Sequence, residues 1–257
     1  MSPASSFRIL SPSDGPAVEV LNGRGSAPLV LVCEHASAFV PKSLEGLGLD
    51  PAHRLSHAAW DPGALAVART MSEALDAPLV AARVSRLVYD CNRPPDAPGA
   101  MPEQSELIAV PGNRDIGPGE RAARVAEVYW PFRDALSTLL EQRPEALLVT
   151  VHSFSPTWHG TPRPAEIGLL HDADPALARA MLAEAGGLPW RVELNVPYSA
   201  ADGVTHTLAE HGTAAGRPAA MIEIRNDLIA DTAAAQVMGR ALAAICLAAL
   251  ARREAAE

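Results

Sequence analysis

Apolar positions along this chain follow two periodicities. Short apolar runs bounded by turn residues predict buried strands over 28–35, 78–85, 146–152, 166–171, 190–195 and 219–225. Between them, apolar residues recur at helical spacing over 62–76, 119–142, 175–185 and 231–252. The first of these helices, PGALAVARTMSEALD, has Pro62 near its start, where a missing N–H costs nothing. Leu87–Asp90 is expected to form a short extended piece. Residues 1–27, rich in Ser, Pro and Gly, form a lead-in that contributes at most one edge strand. Residues 94–117 make a long connection rich in Pro and Gly, of the kind that often binds or covers ligands.

Strands that alternate with helices predict an α/β fold, a mostly parallel sheet with helices on both faces. No repeat or linker divides residues 1–257, so one domain is expected. In such sheets ligands bind beyond the carboxyl ends of the strands. There the sequence puts Glu34 and His35, His152 and Ser153, and Glu223 with Arg225. Arg86, Asp90, Asn92 and Arg93 follow the second strand.

Composition narrows the partners. A net charge of -9 disfavours a nucleic-acid partner, which needs a basic face, but still permits a local Arg cluster to hold a small anion. Three Cys, without CxxC spacing, argue against a disulfide framework and fit a cytoplasmic setting. No run of 18 apolar residues predicts a membrane span, and MSPASSFRIL lacks the basic start and apolar stretch of a signal peptide.

Glu223 is the most telling single residue. It lies inside AAMIEIR, where an ionised, unpaired carboxylate costs several kcal/mol. It needs Arg225, which shares its strand face, or a metal, or a chemical role. Zinc catalysis asks for about three His or carboxylate ligands, an open position and a base. His35 and His152 can supply two ligands. Asp61 is the third choice, although an Asp before Pro at a helix start is equally a favoured N-cap. Glu34 is the fallback, but adjacent strand residues point to opposite faces unless the chain turns. His53, His57 and His211 are expected on the solvated surface. No G-x-S-x-G surrounds Ser153 and no G-x-G-x-x-G follows a strand, which disfavours a Ser-nucleophile hydrolase and a dinucleotide enzyme. A non-catalytic carboxylate- or metal-binding protein stays open, with Glu223 as the feature against it.

The set Cys33-Glu34-His35-Ala36-Ser37, Trp60-Asp61-Pro62-Gly63, Ser85 to Pro94, Val151-His152-Ser153 and Met221 to Asp227 resembles the N-formylglutamate amidohydrolase family. The resemblance runs in order over about residues 28–232. It implies a three-layer α/β/α sandwich similar to zinc carboxypeptidases and aspartoacylases, with one Zn2+ per chain. It matches His35 and His152 to the two His ligands. The carboxypeptidase pattern would place a Glu three residues after the first His, where this chain has Ala38, so Asp61 is taken as the carboxylate ligand. The resemblance further implies that Asn92 and Arg93 hold a substrate carboxylate, with Arg225 and Tyr198 as further substrate contacts. Arg86 would polarise the scissile carbonyl and Glu223 would serve as base. The implied reaction is metal-dependent hydrolysis of a small anionic N-acyl amino acid. In the family's name reaction N-formyl-L-glutamate gives formate and glutamate, a step of histidine degradation. Segments of that family associated with this reaction read more like Pro-His-Ser-Gly than Glu34-His35-Ala36-Ser37.

Overall fold

A computed structural model of the chain describes residues 7–254. Its centre is a seven-stranded sheet built from β1 (Val18–Leu21), β2 (Leu29–Cys33), β3 (Leu79–Ala82), β4 (Leu147–Phe154), β5 (Ile167–Leu170), β6 (Val192–Leu194) and β7 (Ala219–Arg225). The order across the sheet is β1-β3-β2-β4-β7-β5-β6. β3, β2, β4 and β7 run parallel, whereas β1 and the β5–β6 pair run against them. The lead-in does supply an edge strand, β1.

The strands β2, β4 and β5 are buried throughout, as expected where helices cover both faces of a parallel sheet. On one face α1 (Ala64–Leu75), α4 (Ala176–Glu184) and α6 (Thr232–Glu254) pack through Val67, Met71, Met181, Met238 and Leu242 onto Leu31, Val149 and Ile222. α6 is by length and composition apolar enough to cross a membrane, but it spends that surface on α1. The two helices pack so closely at Gly239 that a Cβ there would lie 2.6 Å from Thr70 Cβ. On the other face a long helix packs through Phe132, Leu136 and Leu140 onto Val32, Val80 and Leu148, and the short α5 (His206–His211) joins the same cluster through Leu208. The three-layer α/β/α expectation is met.

Two local expectations need correction, and a third gains detail. The helix over 119–142 is not uniform. It is α2 (Pro118–Arg124), a π turn over Val125–Tyr129, then α3 (Trp130–Glu141). Pro131 explains the widening, since its ring cannot accept a normal helical turn against the carbonyl four residues back. Leu87–Asp90 is not extended. Val88 and Tyr89 both donate their N–H to the Ser85 carbonyl, so Arg86 sits in a turn. The long connection is also partly ordered, as a ribbon pairing Gln104–Ser105 with Ile108–Ala109.

Candidate active site

Four parallel strands end at one edge and deliver most of the polar residues there. The chain turns directly after Cys33, so Glu34 and His35 do not point to opposite faces; both approach His152 at the end of β4. Asp61 comes from the segment before α1. Its N–H bonds the His35 carbonyl, and Gly63, at φ +81°, turns the chain into the helix. Only Gly fits there, because a Cβ would also lie 2.5 Å from the Ile229 carbonyl oxygen. No side chain caps α1, so the capping role of Asp61 falls away.

The Asp61 carboxylate points into the sheet edge. Its Oδ2 is 3.0 Å from His152 Nδ1 and 3.3 Å from His35 Nδ1, and the two Nδ1 atoms are 3.1 Å apart. The opposite ring nitrogens face carboxylates: His35 Nε2 lies 2.7 Å from Asp90 Oδ1, and His152 Nε2 lies 3.1 Å from Glu34 Oε2. The Asp90 carboxylate accepts only, so it favours the His35 tautomer with hydrogen on Nε2 and a bare lone pair on Nδ1, and the charge of Glu34 beside His152 Nε2 favours the same arrangement on His152 without a hydrogen bond. Three lone-pair atoms then converge in a buried place, which is stable only around a cation or a proton. Ligands about 2.0–2.1 Å from a tetrahedral zinc lie roughly 3.4 Å from each other, close to the separations found here. His35, Asp61 and His152 therefore could hold a metal ion. Burial opposes a charged His152 ring, but Glu34 and Asp61 outweigh burial and raise its pKa well above the usual value. Asp61 is held well below the carboxylate range by His35, His152 and Arg86, against burial.

Glu223 lies beside His152 in the β4–β7 register and forms no ion pair among the described residues. Its Oε2 has no hydrogen-bond partner. Burial raises its pKa to about 7. Arg86 bridges the site, with Nη1 3.3 Å from Asp61 Oδ1 and Nη2 3.2 Å from Asp90 Oδ2. These groups line a cavity of about 180 Å³, together with Asn92, Arg93, His57, Glu106, Trp158 and Tyr198.

Comparison with known proteins places this geometry in a family. The family model for N-formylglutamate amidohydrolase matches residues 27–230. The chain belongs to the N-formylglutamate amidohydrolase family. A solved gene product of Agrobacterium tumefaciens is 48% identical, with a TM-score of 0.94 over 96% of this chain and 100% of that one. An N-formylglutamate amidohydrolase from Ralstonia eutropha is 18% identical, with a TM-score of 0.70 over 93% and 99% of the two chains, a likeness of fold. No curated protein matches significantly. The family supports a hydrolase.

Within this cavity and around it, the residues singled out from the sequence fall into different positions. His35, Asp61, His152, Glu223, Arg86, Asn92, Arg93 and Tyr198 line one cavity. Glu34, the fallback ligand, sits behind His152, on the far side of the ring from Asp61. Asn92 is buried. Its Nδ2 bonds the Val204 carbonyl at 2.5 Å and its Oδ1 accepts the Thr207 N–H, so it fixes the 203–207 segment beside the site. Arg93 donates to the Gly203 carbonyl from the same motif. Arg225 does not line the cavity; Asp227 holds it at 2.8 Å, and neither it nor any other cation among the described residues pairs with Glu223.

Sequence reasoning missed His57 and Glu106. His57 is a wall residue rather than a solvated one, with Nε2 2.7 Å from the Ser153 carbonyl and Nδ1 3.2 Å from Glu106 Oε1. Burial works to lower its pKa, but the Glu106 bond and the Asp61 charge leave it raised. The signal was its place four residues before Asp61, too weak without the turn geometry. His211 is also buried, whereas His53 is exposed. Tyr198 reaches the site because the chain after β6 folds back over β5. A Cβ on Gly168 would lie 1.7 Å from the Val196 carbonyl oxygen, so only Gly permits that contact.

Proposed function

We propose that this chain hydrolyses the amide bond of an N-formyl or other N-acyl amino acid, such as N-formyl-L-glutamate, giving formate or the corresponding acid and the free amino acid. The observation that carries the reading is the convergence of three buried acceptor atoms of His35, Asp61 and His152 beside an unpartnered Glu223. Their donor set, two imidazoles and one carboxylate, suits zinc. Such an ion, when bound, lowers the pKa of a water and polarises a carbonyl.

The chain's own residues supply the rest. Glu223 accepts a proton from the attacking water and returns it to the nitrogen of the leaving amine. Its pKa of about 7 suits a group that must take and give a proton near neutral pH. Arg86, clamped between Asp61 and Asp90, stabilises negative charge developing on the carbonyl oxygen. Arg93 grips the substrate carboxylate, and Asn92 fixes the register of the 203–207 segment on which that grip rests. Tyr198 closes one side. Histidine degradation and a cytoplasmic setting are compatible with this chemistry.

Glu223→Gln tests the reading. It is expected to lower turnover of an N-acyl amino acid by about 10²–10⁴ while metal content is unchanged. Loss of metal in that variant would remove the base assignment. No turnover of any N-formyl or N-acyl amino acid by zinc-loaded wild-type protein would remove the hydrolase reading.

A further inference from the structure

Tyr198 lines the cavity, and a neighbour outside the cavity decides where its hydroxyl proton goes. Arg163 Nη1 lies 2.9 Å from the Tyr198 hydroxyl oxygen. A guanidinium only donates, so the phenol oxygen accepts this bond and its own proton stays free. No acceptor among the described residues takes that proton. The phenol also keeps it at neutral pH: burial raises the pKa above its ordinary value and outweighs the bond and charge of Arg163, which lower it.

Arg163 is itself firmly placed. It follows the hairpin that pairs Thr157–Trp158 with Thr161–Pro162, and its N–H bonds the Pro156 carbonyl at 2.8 Å. Its guanidinium stands 4.7 Å from the Trp158 ring centroid, 4.8 Å from that of Tyr198 and 5.6 Å from that of Phe154. Three aromatic faces thus hold the cation behind the wall, and Arg163 is not among the lining residues. On the tyrosine side, the close approach of Gly168 to the Val196 carbonyl fixes the backbone two residues before Tyr198.

We propose that Arg163 is a positioning residue: by occupying a lone pair of the Tyr198 oxygen it turns the phenol proton into the cavity, where Tyr198 donates a hydrogen bond to an oxygen of the bound substrate. This rests on the hydrolase reading above and assigns the donor on one wall of its site. The amide and carboxylate oxygens of an N-acyl amino acid are all acceptors for such a proton. Arg163 acts only through the tyrosine, so its contribution disappears when the hydroxyl does.

The test is a double-mutant cycle on zinc-loaded Glu223→Gln protein, where turnover does not interfere. N-formyl-L-glutamate is titrated by calorimetry into that protein, alone and combined with Tyr198→Phe, Arg163→Met or both. Tyr198→Phe keeps the ring against Arg163 and removes only the hydroxyl. Arg163→Met keeps an unbranched stem against the rings and removes the donor. Tyr198→Phe is expected to weaken binding about tenfold and Arg163→Met about threefold, with no further loss from Arg163→Met in the Tyr198→Phe background. NMR of tyrosine labelled at Cζ gives a readout that a merely structural Arg163 would not move. The signal that Tyr198→Phe removes should shift when the compound is added, and the shift should shrink in Arg163→Met. Unchanged affinity in Tyr198→Phe, an Arg163→Met loss of equal size in both backgrounds, no shift of the Tyr198 signal, or no binding of the compound would overturn the proposal. These arms do not read turnover, so its absence from wild-type protein removes the hydrolase reading and leaves the Arg163–Tyr198 coupling to be decided by affinity.

Discussion

The two histidines of the site are held in different ways. His35 is backed by Asp90, which is itself fixed by Arg86, by Arg93 and by the Asn92 N–H. His152 is backed by Glu34, whose two oxygens accept no hydrogen bond and whose nearest cationic partner is the His152 ring itself. Yet both carboxylates titrate low. Burial opposes ionisation of each, and His35 with Arg86 outweighs it for Asp90, as His152 does for Glu34. One arm is oriented by a hydrogen-bond network and the other by charge and packing. A networked partner fixes direction, whereas a bare buried carboxylate supplies mainly field. The difference predicts unequal consequences when each arm is cut.

The largest loss is expected where the arms meet. Asp61→Asn should weaken metal binding by more than the roughly 100-fold typical of outer partners, measured by zinc competition with a chromophoric chelator. An affinity within a few fold of wild type would show that Asp61 is not a ligand. Asp90→Asn comes next, at close to 100-fold in affinity, with a further fall in kcat/KM because Arg86 loses one of its two anchors. Glu34→Gln should cost about tenfold in affinity, at the low end for such partners. Equal losses from the two outer variants would erase the distinction drawn here.

A pH experiment separates both arms from the base. In the metal-free protein burial holds Glu223 at about 7, above its ordinary 4.5. Below pH 4.5 the group is protonated folded and unfolded, and it contributes nothing. As pH rises, the unfolded chain releases this proton first, so the folded state is penalised progressively until about pH 7 and by a constant amount above it. Glu223→Gln removes that penalty. Its melting temperature should match wild type near pH 4 and exceed it by a few degrees at pH 8. The opposite trend would mean that Glu223 is ionised and paired at neutral pH.

Much of the fold was legible because periodicity is local. AAMIEIR and ALLVTVH announce buried strands, and the residues just beyond the strands are those that gather at one edge. The distinction between ligand and cap at Asp61 was not legible, since it depends on a carboxylate direction set by Gly63 and by contact with Ile229. The pairing of Glu34 and His35 around one imidazole was hidden as well, because alternation along a strand predicts opposite faces and the chain turns one residue earlier. The Arg225 placement failed for a similar reason: the chain leaves β7 at that residue, and Asp227 and Glu166 lie nearer than the cavity. Glu106 and His57 come together across 49 residues through a ribbon inside a loop, and nothing in the local pattern marks such a meeting.

The central claim is that His35, Asp61 and His152 hold one divalent ion on which hydrolysis depends. Metal content per chain, on protein purified without chelator and beside His152→Ala, tests it most directly. The account predicts about one zinc per wild-type chain, its loss from the variant, and turnover of N-acyl amino acids that follows the metal. Wild-type protein that holds no metal and takes up none when zinc is added would contradict it.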